Sequence, residues 1–161
     1  MPSYIWIQAI MVERKIQVFF YGALMSSDVM QSLGIKRRAF APAQISGYEL
    51  IIGSSATLVD SGDGIVYGIL ANLTHTELKQ VYESHTSSVG LAGYVPEPVL
   101  VQTRGGKVVA SLTYIMPEVE NAAPRPGYVE KILEAAKSYG FPAWYRTHIQ
   151  RFLPQSEERV A

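Results

Sequence analysis

Apolar positions along this chain repeat with two different periods, and the changes between them mark the elements. The run IQVFFY, residues 16 to 21, is aromatic, β-branched and short, and Gly22 closes it, so it predicts a buried strand. Instead of turning polar, the chain stays apolar through Leu24 and Met25 and only then offers Ser26, Ser27 and Asp28. Ser26 or Ser27 caps a short predicted helix whose apolar side is Val29, Met30 and Leu33, and Gly34 ends it. Residues 43–63 hold one or two strands, with Gly47 and Gly53 as bulges or turns. The basic triplet at 36–38 reads as a solvated turn. Residues 64–73 predict a strand broken by Gly68. Thr74 and Thr76 then cap a helix bearing Leu78, Val81 and Tyr82 at helical spacing.

A glycine- and serine-rich loop, 86–93, follows. The prolines of YVPEPVLVQT place that strand at an edge or mark its start. Arg104-Gly105-Gly106 turns the chain into the partner strand of a hairpin. The last elements are an amphipathic helix from Tyr128 that Gly140 stops, and a helix opening near Pro142. Hairpin signals separate most strands and helices are few, which predicts an α+β fold with a curved mixed or antiparallel sheet. One domain is expected over 16–153, with an N-terminal extension (1–15) and a short C-terminal tail (154–161).

Composition narrows the function. Lys plus Arg equals Asp plus Glu, 14 against 14, so no basic surplus favours nucleic acid. The chain has no cysteine, which excludes thiolate chemistry and disulfides and fits a cytoplasmic protein. His75, His85 and His148 lack metal-ligand spacing, so no metal is expected. The apolar first eleven residues lack the basic start and small-residue cleavage site of a signal peptide. They are also too short to span a bilayer, so no membrane partner is expected. Met11 offers a second start, and the segment before it suits an edge strand or a partner-binding arm, which leaves a homodimer open.

The order of these segments resembles the gamma-glutamylcyclotransferase-like family. The matching pieces are FFYGALM, IVYGILANLTHTELKQVYES, YVPEPVLV, the hairpin strand ending at Tyr114, and YVEKILEAAKSYGFPAWY. Together they span roughly residues 16 to 150, and their order is more specific than any one of them. The resemblance implies a small, curved, barrel-like mixed sheet with peripheral helices around a cavity. It also implies that backbone N–H groups of the turn Tyr21, Gly22, Ala23 and Leu24 receive the carboxylate of a small-molecule γ-glutamyl substrate. Gly22 permits close approach, and the following helical turn adds positive partial charge. Tyr128 is expected to line the pocket, and Tyr94 and Tyr114 to face the same region.

The implied chemistry is internal aminolysis. The substrate's own amine attacks its γ-carbonyl and releases 5-oxoproline and an amine or amino acid, with no cofactor. The family's base is a glutamate at the end of the helix after the central strand, and Glu83 is the candidate here. Without gaps, however, His85 falls at that position. Two residues on a helix differ by about 200° in direction, so both face the pocket only if the helix ends between them. The family's usual turn, Tyr-Gly-Ser-Asn-Leu, has also become Tyr21-Gly22-Ala23-Leu24-Met25, which leaves the carboxylate to backbone donors alone. A binder of a small carboxylate ligand that has lost its base, and a scaffold associating through its N-terminal arm, are the competing readings. A Glu83 turned to solvent, with no other carboxylate in the pocket, would leave the fold without the family's chemistry.

Overall fold

Five strands close into a barrel in the order β1–β3–β2–β4–β5 in the computed structural model, which describes residues 13–36, 38–83, 93–118 and 121–154. They are β1 (Lys15–Phe20), β2 (Ala41–Ile52), β3 (Ala56–Thr74), β4 (Val95–Thr103) and β5 (Val108–Ile115). Four α-helices surround them: α1 (Ser27–Ser32), α2 (His75–Tyr82), α3 (Tyr128–Ser138) and α4 (Ala143–Gln150). Neighbouring strands run antiparallel except β1 and β5, which are parallel through Val18↔Leu112 and Phe19↔Thr113. The class is therefore the α+β arrangement expected, a curved mixed sheet, and one short parallel contact closes it.

Glycine shapes the sheet in two ways. Gly47, at φ +88°, sits where the β2–β3 register shifts between Ser46 and Tyr48, the bulge expected there. Gly68 corrects the expectation of a broken strand, since β3 runs unbroken for 19 residues. A Cβ at Gly68 would run into the carbonyl of Phe20 and the ring of Phe19, so the glycine lets β1 lie close against β3. The prolines of β4 also follow a physical rule. β2 pairs with β4 only at Ala43↔Thr103 and Gln44↔Gln102, so Pro96 and Pro98 lie where β4 has a ladder to β5 alone.

Local chemistry fixes the helices. Thr74 and Glu77 form a reciprocal capping box at α2, with Glu77 N–H donating to Thr74 Oγ1 at 3.1 Å and Thr74 N–H to Glu77 Oε1 at 3.0 Å. Thr76 does not cap; its N–H and hydroxyl both donate to Glu13 Oε1 at 2.7 Å. Arg38, expected as part of a solvated turn, forms a bidentate pair with Glu77 and donates to the Asn72 carbonyl at 2.9 Å. Gly140, at φ +72°, ends α3 as expected. Buried side chains of all five strands join Ile132, Ala136, Tyr145 and Ile149 of the last two helices in one continuous core.

Candidate active site

β1 carries its buried run Val18, Phe19, Phe20 directly into Tyr21 and Gly22, and Ala23–Met25 then form a single 3-10 turn. Its bonds are Met25 N–H to Gly22 carbonyl and Ser26 N–H to Ala23 carbonyl, both 3.0 Å. Ser26 caps α1 by accepting from Val29 N–H at 3.5 Å. The opening residues of a helical turn have no acceptor within it. Accordingly, the N–H groups of Gly22, Ala23 and Leu24 meet no acceptor among the described residues.

These residues border a cavity that five tyrosines line: Tyr21, Tyr82, Tyr94, Tyr114 and Tyr128. Three of the five hydroxyls are tied to backbone. Tyr21 donates to the Tyr114 carbonyl at 2.6 Å, Tyr128 accepts from Ala56 N–H at 2.9 Å, and Tyr94 donates to the Ala56 carbonyl. Ala56, at the start of β3, thus has both polar backbone groups held by tyrosines. The rings of Tyr82 and Tyr114 stack with centroids 3.8 Å apart and planes 15° apart. Burial raises the pKa of all five phenols, so they stand as neutral hydroxyls at neutral pH.

Gly22 has φ −113°, outside the left-handed region, and what it supplies here is space. A Cβ there would lie 3.3 Å from Ala56 Cβ and 3.8 Å from the Tyr128 hydroxyl. The glycine packs the turn against β3 and keeps this corner of the cavity open.

The structure brings Tyr21, Gly22, Ala23, Leu24 and Tyr128 together on one cavity, with Tyr94 and Tyr114 beside them. It places Glu83 elsewhere. Glu83 is the C-cap of α2, its N–H donating to the Lys79 carbonyl at 2.9 Å, and its side chain is exposed. It borders a separate surface depression with Ser32, Thr76, Lys79 and Gln80. Among the described residues no carboxylate lines the tyrosine cavity. His85, and the loop expected over 86–93 except for Gly93, lie outside the described residues. The sequence did not point to four of the lining residues: Phe19 and Phe20, which read as buried strand, and Tyr82 and Ala56. Tyr82 carries the signal of an apolar helix position only, and Ala56 shows nothing in sequence beyond a run of small residues.

The chain matches the family model described as "Gamma-glutamyl cyclotransferase, AIG2-like" over residues 18–132. It belongs to that family. Human gamma-glutamylcyclotransferase is 25% identical over 154 residues, covering 88% of this chain and 81% of the human one. Among solved structures, an uncharacterized human protein superposes with a TM-score of 0.72 at 26% identity, covering 91% of this chain and 96% of that one. YkqA from Bacillus subtilis superposes with a TM-score of 0.72 at 21% identity and shares the fold; 96% of this chain matches 60% of YkqA.

Proposed function

We propose that the tyrosine-lined cavity receives the γ-glutamyl part of a small molecule, with its carboxylate at the N–H groups of Gly22, Ala23 and Leu24. One observation carries this reading: three backbone donors without acceptors among the described residues border the same cavity as five tyrosines. Consecutive free N–H groups at the start of a helical turn suit an anionic oxygen, and low-dielectric surroundings strengthen the attraction. The substrate class comes from the family and from the name of its human relative. Tyr128 holds the opposite wall by fixing Ala56, and Gly22 leaves the space between them.

A second reading adds turnover. The ligand's α-amine would attack its own γ-carbonyl, forming the ring C–N bond of 5-oxoproline. The bond to the leaving nitrogen would break, and the two protons lost by the attacking ammonium would pass to that nitrogen, which departs as an ammonium. Such a step needs a base within hydrogen-bond reach. Glu83 follows directly on Tyr82, which lines the cavity, and this neighbourhood favours turnover. Its exposed side chain favours binding without turnover, and the geometry supports binding best.

The test is a panel of γ-glutamyl amines, dipeptides and amino acids, each titrated by calorimetry and assayed for 5-oxoproline. Binding without 5-oxoproline is the expected result. Turnover that Glu83→Gln lowers by on the order of 10² to 10⁴ while binding persists would make Glu83 the base. The same loss in His85→Asn would move the role there. If no member binds, or a folded Gly22→Val variant binds as well as the unmodified protein, the cradle is wrong.

A further inference from the structure

The cavity is too small for the ligand just proposed. A water-sized body can occupy about 30 Å³ of it, space for roughly two waters. Sites for small ligands commonly offer about 300–1,000 Å³. Enclosing such a ligand therefore requires the wall to yield, and the bonding of the five tyrosines points to where it can.

Tyr21, Tyr94 and Tyr128 are held at their hydroxyls by the backbone of Tyr114 and Ala56, groups on β5 and β3 that barrel pairing fixes in turn. Swinging any of these rings out of its place breaks a hydrogen bond in a desolvated setting. Tyr82 and Tyr114 differ. Their hydroxyls meet no partner among the described residues, and what positions their rings is packing against the core and their mutual stack, with a tilted contact from Tyr82 to Tyr94 at 6.2 Å. Tyr114 is held by its backbone carbonyl, which accepts from Tyr21, so its ring can rotate while its strand stays in place. Tyr82 is the last residue of α2, where helix ends fray first.

We propose that the stacked rings of Tyr82 and Tyr114 are the adjustable wall of this cavity, parting to admit the ligand and setting the size of the group it can carry. The inference rests on the γ-glutamyl reading for the ligand but not for the motion. A stack can part and re-form without breaking a hydrogen bond, whereas the other three rings cannot be displaced without that cost. The two sides of the cavity then have separate tasks: a fixed side that reads the carboxylate, and a movable side that accommodates what is attached to it.

Nuclear magnetic resonance of the intact protein with isotope-labelled tyrosine rings tests the motion without any ligand. Relaxation dispersion is expected to show the ring carbons of Tyr82 and Tyr114 exchanging between two positions, and those of Tyr21, Tyr94 and Tyr128 holding one. The same behaviour in all five rings would overturn the proposal, whether or not anything binds. Titration with γ-L-glutamyl-L-alanine should then perturb Tyr82 and Tyr114 more than the fixed three. Failure of that peptide to bind, with the two rings still the mobile ones, would support the movable wall and count only against the γ-glutamyl reading. Tyr82→Leu removes the stack and should tighten apparent binding about tenfold if the open form holds about a tenth of the population. Tyr114→Leu serves the same purpose if the first variant does not fold. Unchanged affinity in a folded variant would overturn the gating role.

Discussion

The hydroxyl of Tyr128 serves the fold and the cavity together. It accepts from the buried N–H of Ala56, 72 residues away in sequence, and in doing so fixes the ring as a wall. Tyr128→Phe keeps the ring and leaves that N–H without its acceptor, which costs about 1–3 kcal/mol. Urea unfolding should show the loss as a lower midpoint with an unchanged slope. The resemblance places Tyr128 at the pocket, but no local pattern of residues shows its partner, because pairing across 72 residues depends on how the barrel closes. The same limit applies to Ala56, whose small side chain carries no sign of the two tyrosines that hold its backbone. Glu83 shows the opposite difficulty. Its chemistry is plain from sequence, yet its direction depends on where α2 ends, and the poor helix formers from His85 onward leave that open to inspection of the sequence.

At the scale of elements, the ends are written locally and therefore read well. Thr74→Ala removes half of the capping box at α2 and should cost about 1 kcal/mol, while Thr74→Asn should lose little. Thermal unfolding of the two variants side by side is the check, and equal losses would mean that the cap is not what holds the helix. Ser26, Gly34, Gly140 and the opening of α4 after Pro142 were legible for the same reason: each acts within a few residues of itself. The length of β3 was not. Gly68 looks like a break along the chain, but its meaning lies across it, in the Phe20 carbonyl of the neighbouring strand. Pairing order within the barrel is equally non-local, and only the mixed, curved character of the sheet could be anticipated from the spacing of hairpins and helices.

For the whole molecule, the buried phenols set a limit at high pH. Burial raises the pKa of Tyr21, Tyr82, Tyr94, Tyr114, Tyr128 and Tyr145 above the unfolded value of about 10, so the folded chain keeps protons that the unfolded chain gives up. The stability tied to them is fully present below about pH 10 and falls as pH rises beyond it. Urea midpoints should stay level through mildly alkaline pH and then drop, with tyrosinate absorbance rising together with loss of the fold. Phenol ionisation that precedes unfolding would show that these rings reach water more freely than their burial implies.

The single parallel contact between β1 and β5 also sets an order in time. β1 finds one neighbour in β3, but its other edge waits for a strand whose contacts lie 94 residues further along the chain. Bringing such distant segments together costs loop entropy before any contact repays it, so ring closure belongs late in folding. Until then β1 carries a bare edge, able to pair with another chain, immediately before the turn at Gly22. A ribosome that stalls before Tyr114 emerges therefore holds a chain with that edge exposed and the cavity lacking one of its walls.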